Sequence, residues 1–160
     1  MMDRRRALMG ATKETPIVPT KLTAGEYTRG TSSWSVDDNG KVTITNWTSS
    51  SQYALIMPLD RAISIKQGDE IIFYLLRKSG SPNWHATDVQ LYKSATTNLL
   101  VIGNNLIWNW SNNTNSATTT STVSGDVTHI FINNRGNAVA SSANYSFALK
   151  MTINGKVVLE

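Results

Sequence analysis

Trp108 and Trp110 stand two residues apart around Asn109, just ahead of a long Asn/Ser/Thr stretch. On an extended backbone, residues i and i+2 share a face. Two neighbouring indoles then form a platform on which the apolar C–H face of a sugar ring can stack, while nearby amides such as that of Asn109 bind its hydroxyls. Trp84, which follows the loop Ser81-Pro82-Asn83, is a third candidate for this glycan-binding surface. The chain holds five tryptophans in all, the others being Trp34 and Trp47. Indoles also fill cores and subunit interfaces, and that is the competing account of each.

Other chemistries have weaker support. His85 and His129 are the only imidazoles, far apart and without H-x-H or H-x-x-x-H spacing. Neither a histidine metal site nor a Ser-His-Asp set has a signature here. Of the eleven carboxylates, Asp37-Asp38 lie in a turn sequence and Asp69-Glu70 at a strand start. Nothing marks a pair across a cleft, as glycoside hydrolysis needs. Asp37, Asp38 and Asn39 lack the alternating ligand series of a calcium loop, although a structural calcium ion stays open. Gly103 is isolated, so there is no phosphate-cradling loop. The absence of cysteine excludes disulfides and thiolate chemistry. The reading is a non-enzymatic protein with no cofactor and no metal.

The N-terminus is a basic arm, Met1-Met2-Asp3-Arg4-Arg5-Arg6-Ala7-Leu8-Met9. Residues 1–29 carry six basic groups against three acidic ones, and residues 30–160 nine against eight, so the net charge of +4 belongs mostly to the arm. One arginine triplet is a small footprint for nucleic acid, and the body offers no basic patch, so nucleic acid is an unfavoured partner. Arg4, Arg5, Arg6, Leu8 and Met9 instead suit an anchor that docks in a groove of a neighbouring protein. No apolar run of about 7–15 residues follows the arginines, as a signal peptide would require. No stretch approaches the roughly 18 apolar residues of a membrane span.

The elements that must position these residues are strands. Charged residues are only 16% of the 160-residue chain, and Asn, Ser and Thr supply its polarity. Such side chains compete with the helical backbone for hydrogen bonds and favour strands and turns. Tyr145 to Ile153 alternates apolar and polar as a half-buried strand does, and Asn154-Gly155 then closes a hairpin with Val157-Val158-Leu159. A second hairpin turns at Asp37-Asp38-Asn39-Gly40. Tyr53 to Met57 is an apolar strand that Pro58 ends, and Ala62 to Ile65 is a separate short one. Glu70 to Lys78, Thr87 to Tyr92, Leu99 to Ile102 and Val127 to Asn133 are further strands, the last with Phe131 and His129 on one face and Ile130 and Ile132 on the other. Ser111 to Ser121 reads as loop with a strand emerging at its end.

Short strands at regular spacing without helices predict an all-β, jelly-roll-like β-sandwich. Residues 1–26 form the arm and linker, and residues 27–160 the sandwich. Phe147, Leu149, Met151, Ile153, Ile72, Tyr74, Leu76, Val89 and Leu91 are the expected core.

The start Arg4-Arg5-Arg6-Ala7-Leu8-Met9, a polar linker and an all-β body resemble structural proteins of phages and prophages of Gram-positive gut bacteria, namely tail, baseplate, head-fibre or decoration modules. Gln67-Gly68-Asp69-Glu70-Ile71-Ile72-Phe73 and Phe147-Ala148-Leu149-Lys150-Met151 look like a jelly roll of the carbohydrate-binding-module type. The resemblance implies a virion location and other virion proteins as partners of the arm. A host-surface glycan is then the candidate ligand of the body. The alternative is a lectin-like domain acting in its own right. Few lysines guard the strand edges, and surplus tryptophans need cover, so a homo-oligomer is expected, a trimer foremost.

Overall fold

The computed structural model describes residues 18–47, 54–79, 84–109, 113–134 and 145–160. Eleven strands are found among them: β1 (Gly25–Arg29), β2 (Ser32–Val36), β3 (Lys41–Asn46), β4 (Leu55–Ile65), β5 (Glu70–Ser79), β6 (Trp84–Tyr92), β7 (Asn98–Asn109), β8 (Thr114–Thr120), β9 (Gly125–Asn134), β10 (Tyr145–Ile153) and β11 (Lys156–Leu159). They build two antiparallel sheets, one ordered β1-β2-β3-β10-β5-β8 with β11 also on β10, the other β4-β9-β6-β7. The expected all-β sandwich is what the chain forms.

The β10–β11 hairpin turns at Asn154 and Gly155, with φ of 50° and 79°. Both values lie in the left-handed region that a two-residue hairpin of this type requires, and Asn and Gly are the residues that tolerate it. In the Asp37–Gly40 turn, Asp37 Oδ1 accepts hydrogen bonds from the backbone N–H of Asn39 and Lys41, each at 2.9 Å. That carboxylate caps its own turn.

The core lies between the sheets. Phe147, Leu149, Met151, Ile153, Val89 and Leu91 are buried as expected, and Ile130 and Ile132 join them from β9. The phase of β5 is the opposite of the expected one. Ile71, Phe73 and Leu75 are fully buried, whereas Ile72, Tyr74 and Leu76 are half-buried on the outer face. Six consecutive apolar residues carry no period-2 signal of their own. The neighbouring strand decides, pairing Ile71 with Ile153, Phe73 with Met151 and Leu75 with Leu149. Outside, Lys150 Nζ sits 5.8 Å from the centre of the Tyr74 ring, a cation–π contact.

Two further expectations are corrected. Pro58 does not end a strand: β4 runs through it, with the pairing register shifting between Pro58 and Ile63. Proline is tolerated there because β4 is an edge strand. The Pro58 carbonyl accepts from Thr23 N at 2.8 Å on the open side. The strand expected only at the end of 111–121 takes up most of that stretch: β8 pairs with β5 from Glu70↔Thr120 to Leu76↔Thr114 without interruption. Its threonines are good strand formers, but none is apolar enough to show in a hydropathy pattern.

Residues 18–24, read as linker, are fastened to the sandwich. Thr20 N donates to Val158 O at 2.9 Å, and Glu160 N to Thr20 O at 3.1 Å. Lys21 N donates to Asp60 Oδ1 at 3.0 Å, and Arg61 Nη2 to the carbonyls of Val18 and Pro19 at 3.0 and 2.9 Å. Leu22 is buried in the core cluster. Arg4, Arg5, Arg6, Leu8 and Met9 lie outside the described residues.

Asp69 ties two turns together. Its carboxylate accepts from Lys66 N at 2.8 Å and from Asn154 Nδ2 at 2.9 Å, while Asn154 Oδ1 accepts from Glu70 N at 2.9 Å. The bond from Lys66 N, then that from Asn154, holds its pKa below the usual carboxylate range. A depressed carboxylate stabilises the fold above the unfolded-chain pKa, and this contribution is lost as pH falls through the folded-state value. Asp69→Asn is therefore expected to flatten the acid side of the stability profile. The urea midpoint of the variant should fall less than that of the parent between about pH 5 and pH 2. Parallel profiles would show that Asp69 titrates alike in both states.

Candidate functional site

The ladder of β6 and β7 brings three of the four candidate glycan residues to one end of the four-stranded sheet. Trp84 is the register partner of Asn109, and His85 that of Trp108. The backbone thus gathers Trp84, Trp108 and Asn109. Their side chains lie outside the described part of the structure, and Trp110 lies outside the described residues.

Trp34 and Trp47, counted from the sequence among the candidates for subunit contacts, are core residues, 4% and 0% exposed. Their surface is covered inside the chain, so neither is available to a second copy.

The described residues present a different aromatic site. A cleft of about 340 Å³ is lined by Tyr27, Thr28 and Arg29 of β1, Trp34 of β2, Ile56 and Pro58 of β4, Ala95 between β6 and β7, and His129 of β9. It forms where the β1–β2 hairpin meets the β4 edge of the smaller sheet. Gly30, at φ 60°, makes the tight reversal of that hairpin. The resulting ladder sets Tyr27 opposite Trp34. Their rings stack at 5.7 Å between centres with 17° between planes. Tyr27 Oη donates to Thr23 O at 2.7 Å, which fixes the ring, and burial raises the phenol pKa. Trp34 Nε1 is buried with no hydrogen-bond partner among the described residues.

The far wall comes from the outer face of the smaller sheet. Leu55 and Met57 point into the core with no exposure, so the alternating Ile56 and Pro58 face outward and half-buried. Pro58 pairs with His129. His129 Nδ1 lies 2.8 Å from Thr128 Oγ1. Partial burial lowers the imidazole pKa, so the ring is neutral near pH 7 and offers one donor and one acceptor. Arg29 Nη1 donates to Ala54 O at 3.2 Å, which holds the guanidinium at the mouth. Next along this face, Tyr92 stacks on Phe131 at 5.1 Å with 7° between planes, and Phe131 is 4% exposed outside the core cluster. The expected partition of β9, with His129 and Phe131 opposite Ile130 and Ile132, is therefore present.

The cleft pairs the Tyr27 ring, seated on buried Trp34, and aliphatic walls with an imidazole, a hydroxyl and a guanidinium. Such walls hold a ring by its apolar face, and the polar groups orient its hydroxyls. Sequence reasoning missed this site. Its only signal was the reversal Arg29-Gly30-Thr31-Ser32, which sets Tyr27 across from Trp34. Among the described residues no group of three His, Cys, Asp or Glu side chains is gathered to hold a metal ion. No family model, curated protein or solved structure matches the chain.

Proposed function

We propose that this chain is a non-enzymatic structural module of a virion, tethered by its N-terminal arm and presenting a glycan-binding β-sandwich. The observation that carries the recognition half is the Tyr27–Trp34 cleft with Arg29 and His129 at its walls. A lone neutral imidazole beside stacked rings suits binding; acid–base catalysis on a glycoside would call for two carboxylates across the cleft. The tethering half is supported by the way residues 18–24 are laced to β4 and β11. A pull on the arm is transmitted to both sheets there. As an assembly partner the arm would use Arg4, Arg5, Arg6, Leu8 and Met9 against another virion protein.

A glycan array tests the reading directly. The full chain should bind a defined subset of oligosaccharides, and Tyr27→Ala should abolish that signal while leaving the thermal transition within about 1–2 kcal/mol of the parent, since Tyr27 is only half-buried. If binding survives Tyr27→Ala but vanishes with Trp108→Ala or Trp110→Ala, the platform at the β6–β7 end is the site instead. Removal of residues 1–13 should preserve both folding and glycan binding, and abolish incorporation into particles. No binding to any glycan together with unimpaired incorporation of the truncated chain would sink both halves.

A further inference from the structure

We infer that β8 is a homotypic pairing edge: two copies of this chain join antiparallel along Thr114–Thr120 about a twofold axis, making one continuous sheet from two seven-stranded ones. β8 ends its sheet and is laddered only to β5. About half of the backbone N–H and C=O groups of such a strand point away from its single neighbour and form a ready template for another strand. Proteins close such edges with charge, proline, bulges or covering segments.

Each other edge among the described residues carries one of these devices. β1 is five residues long and holds Glu26 and Arg29. β4 contains Pro58, Asp60 and Arg61, breaks register, and is covered by bonds from Thr23 N to Pro58 O and from Asp60 N to Lys21 O. The β7 pairing shifts register three times, and Asn105 sits at φ 53°. β11 is covered by Thr20. β8 carries none of the devices a strand's own sequence supplies, and among the described residues nothing is laddered to its far side. Its sequence, Thr-Asn-Ser-Ala-Thr-Thr-Thr, has no charge, no proline and no glycine, and its register against β5 runs without a shift over all seven residues. Ser116, Thr118 and Thr120 are exposed.

A second copy fits this edge for two reasons. A row of Ser and Thr opposed to itself meets no like charge, and paired hydroxyl side chains across strands are favourable. The flanking charges are also complementary under a twofold. Exposed Glu70 lies beside the Thr120 end and exposed Lys78 beyond the Thr114 end, so antiparallel pairing brings opposite signs to each end of the joint. Three strand spacings, about 14 Å, separate them, so they form no salt bridge and favour approach only at low ionic strength, where the screening length exceeds that distance. A twofold, not a trimer, is the symmetry such an edge supports.

Sedimentation equilibrium of the full chain at tens of micromolar should show a monomer–dimer equilibrium. The double variant Ser116→Lys/Thr118→Lys sets four like charges near the axis and should weaken association at least about tenfold. Thr45→Lys, on an exposed site of β3, should leave association unchanged. Hydrogen exchange of the parent supplies an independent reading: amides of 116–120 should exchange more slowly at high protein concentration than at low. This second measurement stands even if the double variant fails to fold. A monomer at these concentrations, a trimer, a dimer indifferent to the lysines, or β8 exchange independent of concentration would overturn the inference.

Discussion

Phe147→Ala should lower the melting temperature by about 6–20 °C, the equivalent of roughly 3–5 kcal/mol for a chain of this size. Phe147 has no exposure and sits on β10, the strand laddered to β3 and β11 on one side and β5 on the other. Val42 is its register partner on β3, and Tyr145 lies 5.7 Å away ring to ring on the same face. Truncation removes the transfer free energy of a phenyl ring and leaves a cavity that cannot collapse, because ladders on both sides hold the backbone in place. Lys150→Ala is the matched control on the outer face of the same strand. It removes a cation–π contact with Tyr74 and should cost about 0.5–1 kcal/mol. Urea unfolding of both variants decides the matter. A Phe147→Ala loss no greater than that of Lys150→Ala would place the core elsewhere than between β10 and the smaller sheet.

The contrast between β10 and β5 shows what the sequence made legible. β10 alternates, with polar Ser146, Lys150 and Thr152 interleaved among apolar residues, so its inward face can be read directly. β5 is apolar on both faces, because its outer row of Ile72, Tyr74 and Leu76 is half-covered by neighbouring strands. Its phase exists only in the pairing with β10. Hairpins marked by Asn154-Gly155 and Asp37-Asp38-Asn39-Gly40 were legible because left-handed backbone limits the residues that fit. The extent of β8 was not, because an edge strand of threonine buries little and leaves no apolar stripe.

The cleft was illegible for a related reason. Its walls come from β1, β2, β4 and β9, and of these strands only β1 and β2 are close in sequence. A composite site of this kind is assembled by sheet order, which local patterning does not encode. The four candidates Trp84, Trp108, Trp110 and Asn109 were visible because two indoles two residues apart form a local pattern. The ladder gathers the backbones of three of them.

Asp88 carries the second large effect, and it had no sequence signal at all. It is 2% exposed, on the face of β6 opposite Val89 and Leu91. Oδ1 accepts from Asn105 N at 2.9 Å, and Oδ2 accepts from Asn133 Nδ2 at 3.2 Å. Asn105 has a φ of 53° and lies where the β6–β7 register slips between Thr87 and Val89. Asn104 and Asn105 of β7 stand opposite Asp88 alone at this slip, one residue more than the ladder can pair, and the carboxylate takes up an N–H that the ladder cannot. Asp88→Ala strands the buried Asn133 amide and takes the partner from the part-buried Asn105 N–H. The buried amide costs about 1–3 kcal/mol to orphan and the Asn105 N–H, open to water, less, so the loss should reach roughly 2–4 kcal/mol. Asp88→Asn should be far milder. Asn133 Oδ1 has no partner among the described residues of the parent. Rotation of the Asn133 amide by half a turn would let that oxygen accept from the amide introduced at position 88, while the carbonyl oxygen of the new side chain keeps the bond from Asn105 N. The expected cost is about 1 kcal/mol. The double variant Asp88→Asn/Asn133→Ala removes the rotating partner, and the coupling energy of the cycle should be at least about 0.5 kcal/mol. Chemical denaturation of the parent, the three single variants and the double variant tests the claim. Equal losses for Asp88→Asn and Asp88→Ala would mean that Asp88 acts through its charge and not through the bonds that close the slip.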